Sequence, residues 1–470
     1  MRETKREYLP LYSYYDRLGM VQHLEHMAQQ GWLLDKLSPW YWRYRKTEPK
    51  QLRFSITYFP KATPYSPAPA AGQETFWDLC AEAGWVLAAE SAQVQIFYNE
   101  QEDATPIETD PEVEFQTMDR VMRKSTIGTY IALFVLSLAQ LGLQVWRLWE
   151  DPIEVLSSLI SLSASFGYLP LMLVTAVEVV RYFLWRRKAK AAVEAGLGVP
   201  NLRSSRKLSI AILILTVIEL AGMLLGSMQT SRTMLVSICF MLVFMVVIIV
   251  LSNVARNAMQ RLRVNAWVNK IVSIGMVLVL YAAMMAGITA LIFKADDIPF
   301  LRDPSIIEQY EYRGMKWEVY GDTLPLTIQD LTETDYEQWS TRLTRESSPL
   351  LTHMEGTQRP RMDALEQPDL EYQLVIIKAA PLYNLCKQQF IDWVTRHNDD
   401  LPREYWDEYR PVDPAPWGAA EAYQRYGAGT PSNQFLICWE NRIAEIDYDY
   451  EWTITPTIMQ TSAEKLNAVD

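Results

Sequence analysis

Histidine and cysteine are scarce in this chain, whose 470 residues hold four of each. Cys80, Cys239, Cys386 and Cys438 form no C-x-x-C pair, so neither the usual zinc spacing nor a redox motif is present. They are too few for a disulfide-dense scaffold. Cys386 and Cys438 fall in the same acidic region, where they pair if it is extracytoplasmic or stay as two free thiols. His23 and His26 are spaced by three but have no further Cys or His nearby, so exposed helix polar residues are expected there and not a metal site. The glycine run GAG at 427–429 is too short to cradle a phosphate. Ser, Asp and Glu are plentiful, yet none sits in a nucleophile or acid/base signature. We therefore expect no catalytic residue, no cofactor and no metal, and the enzyme reading is the least supported.

A second absence is charge in the middle of the chain. From about 126 to 294 the sequence is almost entirely apolar, with brief polar breaks. Five segments exceed the roughly 20 apolar residues needed to span a bilayer core: about Ile127–Trp149, Val155–Trp185, Leu208–Met228, Met234–Asn253 and Ile271–Phe293. A soluble bundle would show polar faces at helical period, and these segments have almost none. The N-terminus MRETKREYLPLYSYYD has no apolar core and cleavage site, so no signal peptide is expected.

The formal net charge is −12, but it is unevenly spread. Residues 295–470 carry 15 Lys/Arg against 32 Asp/Glu, leaving 29 against 24 in the rest. An acidic C-terminal region is a poor nucleic-acid binder, and no nucleic-acid partner is expected. Within the apolar block the loops alternate in sign. RYFLWRRKAKAAVEAGLGVPNLRSSRK (181–207) holds eight basic residues and one acid, and RNAMQRLRVNAWVNK (256–270) holds Arg256, Arg261, Arg263 and Lys270 with no acid. The other connections are WEDPIE (149–154), a short link with Arg232, and KADDIPFLRD (294–303). Lys and Arg of short loops are retained on the cytoplasmic side. The pattern predicts a plasma-membrane protein with a cytoplasmic N-terminus and an extracytoplasmic C-terminus. Arg120, Arg123 and Lys124 before the first span agree. Trp146, Trp149 and Trp185 are expected at membrane interfaces, and Glu178 and Arg181 are spaced to pair.

Glu219 is the one acid deep in an apolar segment, ILILTVIELAGMLLG. By depth along each span, Gln140, Tyr168 and Tyr281 reach the same level and form with it a candidate intramembrane polar site. An acid there faces the bundle interior, either as a proton- or ligand-responsive switch or as a protonated clip between helices. Gly222 and Gly226 make a G-x-x-x-G one turn on, a signal of close helix packing.

Before the apolar block, HLEHMAQQGWLLDKL (23–37) and WDLCAEAGWVLAAE (77–90) echo each other as helix, glycine stop, Trp and apolar strand. WYWRYRK (40–46) and LRFSITYF (52–59) read as strands around a polar TEPK turn, VQIFY (94–98) as another, with a first strand near Leu9–Tyr14. Strand, helix, two strands, helix, strand is a ferredoxin-like order. The interleaved aromatic and basic residues of WYWRYR could stack on nucleic acid; a sheet face covered by helices is the expected alternative. A Pro/Ala loop (60–72) and an acidic linker (99–115) complete the region.

LPLYSYYDRLGMVQHLEHMAQQGWLLDKL, YRKTEPKQLRFSITYFP and AGWVLAAE resemble the "domain of unknown function 2812" family over about residues 8–100. The resemblance implies a Gram-positive bacterial protein, this domain placed before several membrane helices, and a PadR-type repressor encoded nearby. The family has no assigned activity, so no catalytic residue is carried over.

The C-terminal region reads as α+β. MKWEVYG and LPLTIQDL are expected strands, YQLVIIKA a buried strand, and PLYNLCKQQFIDWVTRH a helix. WGAAEAYQRYG is an expected helix closed by Gly427, NQFLICWENRIAEIDYDYEW a hairpin, and TPTIMQTSAEKL a final helix. The expected architecture is thus a multi-domain membrane protein: a cytoplasmic α+β, ferredoxin-like domain (1–105), a linker (106–125), a five-helix transmembrane bundle (126–294), and an acidic extracytoplasmic α+β domain (295–470). Its partners are the lipid bilayer and other membrane or envelope proteins. Non-enzymatic sensing, regulation or scaffolding is the leading function. A transporter subunit using Glu219 is the alternative, although no inverted repeat or Gly/Pro-broken helix pair supports it.

Overall fold

The structure is a computed structural model. It describes all residues except 1–2, 9–11, 13–15, 39–40, 68, 202–205, 296, 365, 397, 399–401, 450 and 470, and the side chains of 125–126, 206 and 208–209. The chain divides into two compact units. The first comprises Met1–Ala139, Tyr168–Val217 and Met241–Gly287; the second comprises Gln140–Gly167, Ile218–Phe240 and Ile288–Asp470. Small sheets lie near the N-terminus, five long apolar helices follow, and a large sheet lies near the C-terminus.

The N-terminal region is a tandem repeat. Its first half is β1 (Thr4–Tyr8), α1 (Arg17–Gln29), β2 (Trp32–Leu37) and β3 (Tyr41–Lys46). Its second half is β4 (Arg53–Tyr58), α2 (Gln73–Glu82), β5 (Val86–Ser91) and β6 (Val94–Asn99). Each half forms its own antiparallel sheet, in orders β1-β3-β2 and β4-β6-β5. The ferredoxin-like reading of this element order is not confirmed by the two sheets. The two strands around TEPK do not pair with each other; that segment joins one repeat to the next. The strand expected near Leu9–Tyr14 falls mostly outside the described residues.

The two echoing phrases mark equivalent points of the repeat. Gly31 and Gly84 end their helices with φ of +82° and +81°, a left-handed conformation glycine adopts without strain. Each following strand is bulged four residues later, between Leu34 and Lys36 and between Leu87 and Ala89. Alternation then sets the faces. Trp42 and Tyr44 of β3 are buried with Leu24 and Ala28 of α1 and Ile56 and Ile96 of the second sheet. The WYWRYR face is therefore core. Across β6, Phe97 turns to a smaller core with Cys80 and Trp85.

The linker residues are not extended. Asp110 caps α3 (Pro111–Val121), accepting from the backbone of Glu112 and Val113. A π-helical turn (Met122–Ile127) leads into α4 (Gly128–Glu150), so Pro111–Glu150 is one continuous 40-residue helix. Next come α5 (Pro152–Ser157), α6 (Leu159–Glu194), α7 (Arg206–Thr230), α8 (Arg232–Arg261) and α9 (Ala266–Phe293). Among the described residues, five helices are long and apolar enough to cross a membrane by length and composition. The second expected span is broken: Ser158 is extended between α5 and α6. Asp151 caps the short α5 and Pro152 opens it, which makes a separate turn of helix before the apolar run.

The C-terminal region opens with a two-stranded ribbon, β7 (Ile306–Tyr312) and β8 (Met315–Tyr320), and a one-turn helix, α10 (Ile328–Leu331). The sheet strands are β9 (Ser340–Ser347), β10 (Leu351–Arg359) and β11 (Leu370–Ile377), then, after α11 (Tyr383–Thr395), β12 (Asp407–Val412), β13 (Glu421–Gly427), β14 (Thr430–Cys438) and β15 (Arg442–Tyr448). The chain ends in α12 (Pro456–Asn467). The seven strands are antiparallel in the order β12-β13-β14-β15-β11-β10-β9.

Two expectations are corrected here. LPLTIQDL is not a strand, because Thr327 and Asp330 form a reciprocal capping box that closes α10. Glu421–Gly427 is strand β13, not a helix, and the GAG run is its hairpin turn, with Ala428 and Gly429 at φ of +50° and +79°. The sheet has two covered faces. Leu374, Ile376, Phe435, Ile446 and Trp417 pack with α12 on one, and Val375, Ile377, Leu436 and Ile443 pack with Phe390 of α11 and Ile153 and Leu156 of α5 on the other.

Candidate functional site

Within the first unit, the long helices run into the N-terminal core. Met118, Val121, Met122 and Ile127 of the first helix and Tyr182, Trp185 and Ala189 of α6 are buried in the same cluster as Leu24, Tyr44 and Ile56. Trp185 is therefore no interface anchor: it is 2% exposed and its Nε1–H donates to the Pro200 carbonyl at 3.0 Å. Trp146 and Trp149, 57% and 84% exposed, remain free to meet an interface.

Asp119 is the charged centre of this junction. Its side chain is 5% exposed. The Tyr182 hydroxyl donates to Oδ1 at 2.5 Å, Arg186 Nε–H donates to the same oxygen at 3.0 Å, and Arg123 pairs with Oδ2 at 2.6 Å. A carboxylate this buried is tolerated because its lone pairs are occupied and its charge is matched. One cation of the basic 181–207 stretch, the partly exposed Arg186, thus reaches a buried acid, while Arg181 pairs with Glu178 at 3.7 Å. The stretch also holds the domain beyond Arg186: Asn201 accepts from Leu18 N–H at 3.1 Å and donates to Asp16 at 3.2 Å. The second basic loop does the same through the Pro/Ala loop. Gln260 donates to the Pro64 carbonyl and Asn269 to the Tyr65 carbonyl, at 2.5 and 2.9 Å.

Close by, Arg17 of α1 pairs with Glu114 of α3 and lies 3.6 Å from Glu108. Burial pushes the Glu108 carboxyl up to about 7, against the opposing pull of Arg17. His23 is also more than a surface residue. Its Nε2 is 2.7 Å from Glu7, which accepts from Tyr44 at 2.9 Å, and the imidazole packs among Tyr12, Trp42 and Tyr44. His26 instead meets Gln30 at 2.8 Å. Among the described residues, no three His, Cys, Asp or Glu side chains gather as metal ligands.

In the second unit, the acidic 149–154 loop docks on the large sheet. Ile153 N–H donates to Gln389 Oε1 at 2.7 Å, Gln389 Nε2 donates to Asp151 at 2.5 Å, and the Ser348 hydroxyl donates to the Leu156 carbonyl at 2.5 Å. The link between α7 and α8 meets the segment after α9, where Thr233 donates to the Leu301 carbonyl at 3.2 Å. Beside the docked loop, two adjoining cavities of about 470 and 250 Å³ share Glu355, Gln373, Trp393 and Glu445. Their walls add Asp151, Glu154, Glu346, Glu371 and Asp447. Burial raises Glu445 and Asp447 above the usual carboxylate range, and Arg425 opposes this in both. The Tyr409 hydroxyl donates to Glu445 and holds its charge in place. Acidic side chains predominate in this lining. Cys386 and Cys438 lie buried in the neighbouring core as free thiols.

The sequence-predicted polar set is distributed over four helices: Gln140 on α4, Tyr168 on α6, Glu219 on α7 and Tyr281 on α9. Gln140 and Glu219 belong to the second unit, Tyr168 and Tyr281 to the first. Glu219 is half-buried between exposed Ile218 and Leu220. A methyl group added to Gly167 of α6 would sit 3.2 Å from its carboxylate, so that glycine leaves room for the acid. The G-x-x-x-G pair makes the same close approach: Gly222 faces Ser163 and Gly226 faces Ile160, with no space for a Cβ. Asp119, Glu108 and Gln389 were not singled out by sequence reasoning. The available signal for Asp119 was an acid on the apolar side of an amphipathic helix, set one turn before Arg123.

Comparison with curated proteins and with solved structures gives no match. Residues 19–130 match the family described as "Protein of unknown function (DUF2812)", and the match runs from α1 through α3 into α4. Over these residues, from α1 to the start of α4, the chain is therefore similar to that family.

Proposed function

We propose that the chain is a five-span plasma-membrane protein that senses or regulates across the cell envelope without catalysing a reaction. Residues 1–105 form its cytoplasmic domain, 106–125 the connection, 126–294 the membrane block and 295–470 the extracytoplasmic domain. One observation carries the reading: loop charge and loop packing coincide. The basic loops pack on the N-terminal domain, through Arg186, Asn201, Gln260 and Asn269. The acidic loop packs on the C-terminal domain, through Asp151 and Ile153. Retention of Lys and Arg inside gives this coincidence a direction. Each domain thereby grips the ends of apolar helices, which suits passing a state from one side to the other. Glu219 is read as a clip between α6 and α7, since it sits where glycines bring these helices close.

A photo-crosslinking residue in place of exposed Glu74 tests the function. In intact cells it should capture a cytoplasmic protein, with the yield changed by truncating residues 295–470. No change on truncation would argue against communication between the domains. Glu219→Gln, reconstituted in proteoliposomes, addresses the transporter alternative: a proton-coupled flux present in the wild type and absent in this variant would replace the regulatory reading.

A further inference from the structure

We propose that the groove between α8 and α9 is a binding site for an anionic phospholipid of the inner leaflet. The inference rests on the membrane reading above and adds to it a specific lipid contact. The groove, of about 400 Å³, has an apolar wall of Ile248, Ile249, Ile274, Val277 and Leu278. Its mouth carries different chemistry: Ser252, Asn253, Arg256 and Tyr65 of the Pro/Ala loop. An apolar slot ending in a guanidinium has the two-part character of a diacyl lipid with a phosphate head.

Two polar atoms at this mouth lack a protein partner. The Ser252 hydroxyl and Arg256 Nε are shielded from solvent and make no hydrogen bond, although another Arg256 nitrogen donates to Asn253 at 2.6 Å. Buried donors without acceptors are costly, and a phosphate oxygen satisfies both types. The loop has no acid between 254 and 270 to compete with Arg256 for the head group. Basic pockets between spans on the cytoplasmic side recognise anionic head groups. Leu262 and Trp267, 76% and 70% exposed, stand on the same loop with the character of interfacial anchors. Asn269, fully buried, ties this end of α9 to the Tyr65 carbonyl, so an occupant would touch the helices and the N-terminal domain together.

The test is native mass spectrometry of the full-length protein released from nanodiscs containing phosphatidylglycerol and phosphatidylcholine in equal parts. The wild type should retain one phosphatidylglycerol in preference to phosphatidylcholine. Arg256→Gln should retain about fivefold less, and Arg261→Gln, outside the groove, should match the wild type. Val277→Trp fills the apolar slot while leaving Arg256 in place, and should also lose the lipid; it decides the matter if Arg256→Gln fails to fold. Excess glycerol 3-phosphate should not displace the lipid, since it has no chains for the slot. Equal retention of the two lipids, equal loss in Arg261→Gln, or displacement by glycerol 3-phosphate would overturn the site. Carbonate extraction of the protein from its native membrane is the separate control: release into the aqueous fraction would reject the membrane reading itself.

Discussion

The two folded regions join their helices in different ways. The N-terminal repeat shares its core with them: Tyr182, Trp185 and Met118 are buried among the same residues as Leu24 and Tyr44, beside the buried Asp119. The C-terminal region keeps a core of its own. Its largest cluster, from Leu326 to Leu466, contains no residue of the apolar helices. The opposite sheet face takes in Ile153 and Leu156, with Leu148 of α4 and Leu162 of α6 packed at its margin, and neutral amide and hydroxyl contacts as well as Asp151 hold the loop there. One domain is built as a continuation of its helices, and the other is a finished body with a loop docked on it.

Fragments break the comparison most strongly. Residues 295–470 expressed alone should unfold cooperatively in urea, because Leu374, Ile446, Trp417 and Leu466 bury one another without help. Residues 1–105 alone should lack a cooperative transition and gain it when extended to 127, since α3 supplies Met118 and Val121 to the core.

Single substitutions give smaller effects. Asp119→Ala removes the acceptor of the Tyr182 hydroxyl and the partner of the partly exposed Arg186, and should cost about 2–3 kcal/mol. Gln389→Ala, the matching cut at the other junction, should cost about 1 kcal/mol. Denaturation of the full-length protein in detergent checks both, and equal costs would remove the distinction between the junctions.

A pH dependence tests the N-terminal junction separately. Glu108 has a folded-state pKa of about 7, above the ordinary value of 4.5. The folded state therefore holds the proton over a range where the unfolded chain releases it. Stability from this group is full below about pH 4.5 and falls as pH rises to about 7, by on the order of 2 kcal/mol. Fragment 1–127 should thus weaken between pH 5 and 8 by about that amount, and Glu108→Gln should flatten the profile. A wild-type profile that rises over this range would contradict the assignment.

Much of this was legible in the chain. Apolar length gave the five helices to within a few residues at most ends, and the A-x-x-G-W-x-L echo marked both halves of the repeat. What it did not give was the division into two sheets, because pairing partners depend on tertiary contacts that strand periodicity does not encode. Glu421–Gly427 was misread because its alternation is interrupted by a bulge between Gln424 and Tyr426. Trp185 has the sequence context of an interfacial indole, and only the fold places it under Pro200. The polar set around Glu219 was chosen by depth along each span, which says nothing about azimuth around the helix.

The central claim is that the basic loops with the N-terminal repeat, and the acidic loop with the C-terminal sheet, lie on opposite sides of a membrane. Cysteine accessibility tests it most directly. Single cysteines at exposed Glu74 and Glu464 would be introduced into a chain carrying Cys239→Ser, whose other cysteines are buried. In intact cells an impermeant maleimide should label position 464 and spare position 74, with both labelled after lysis. Labelling of position 74 with protection of 464, or labelling of both before lysis, would contradict the account.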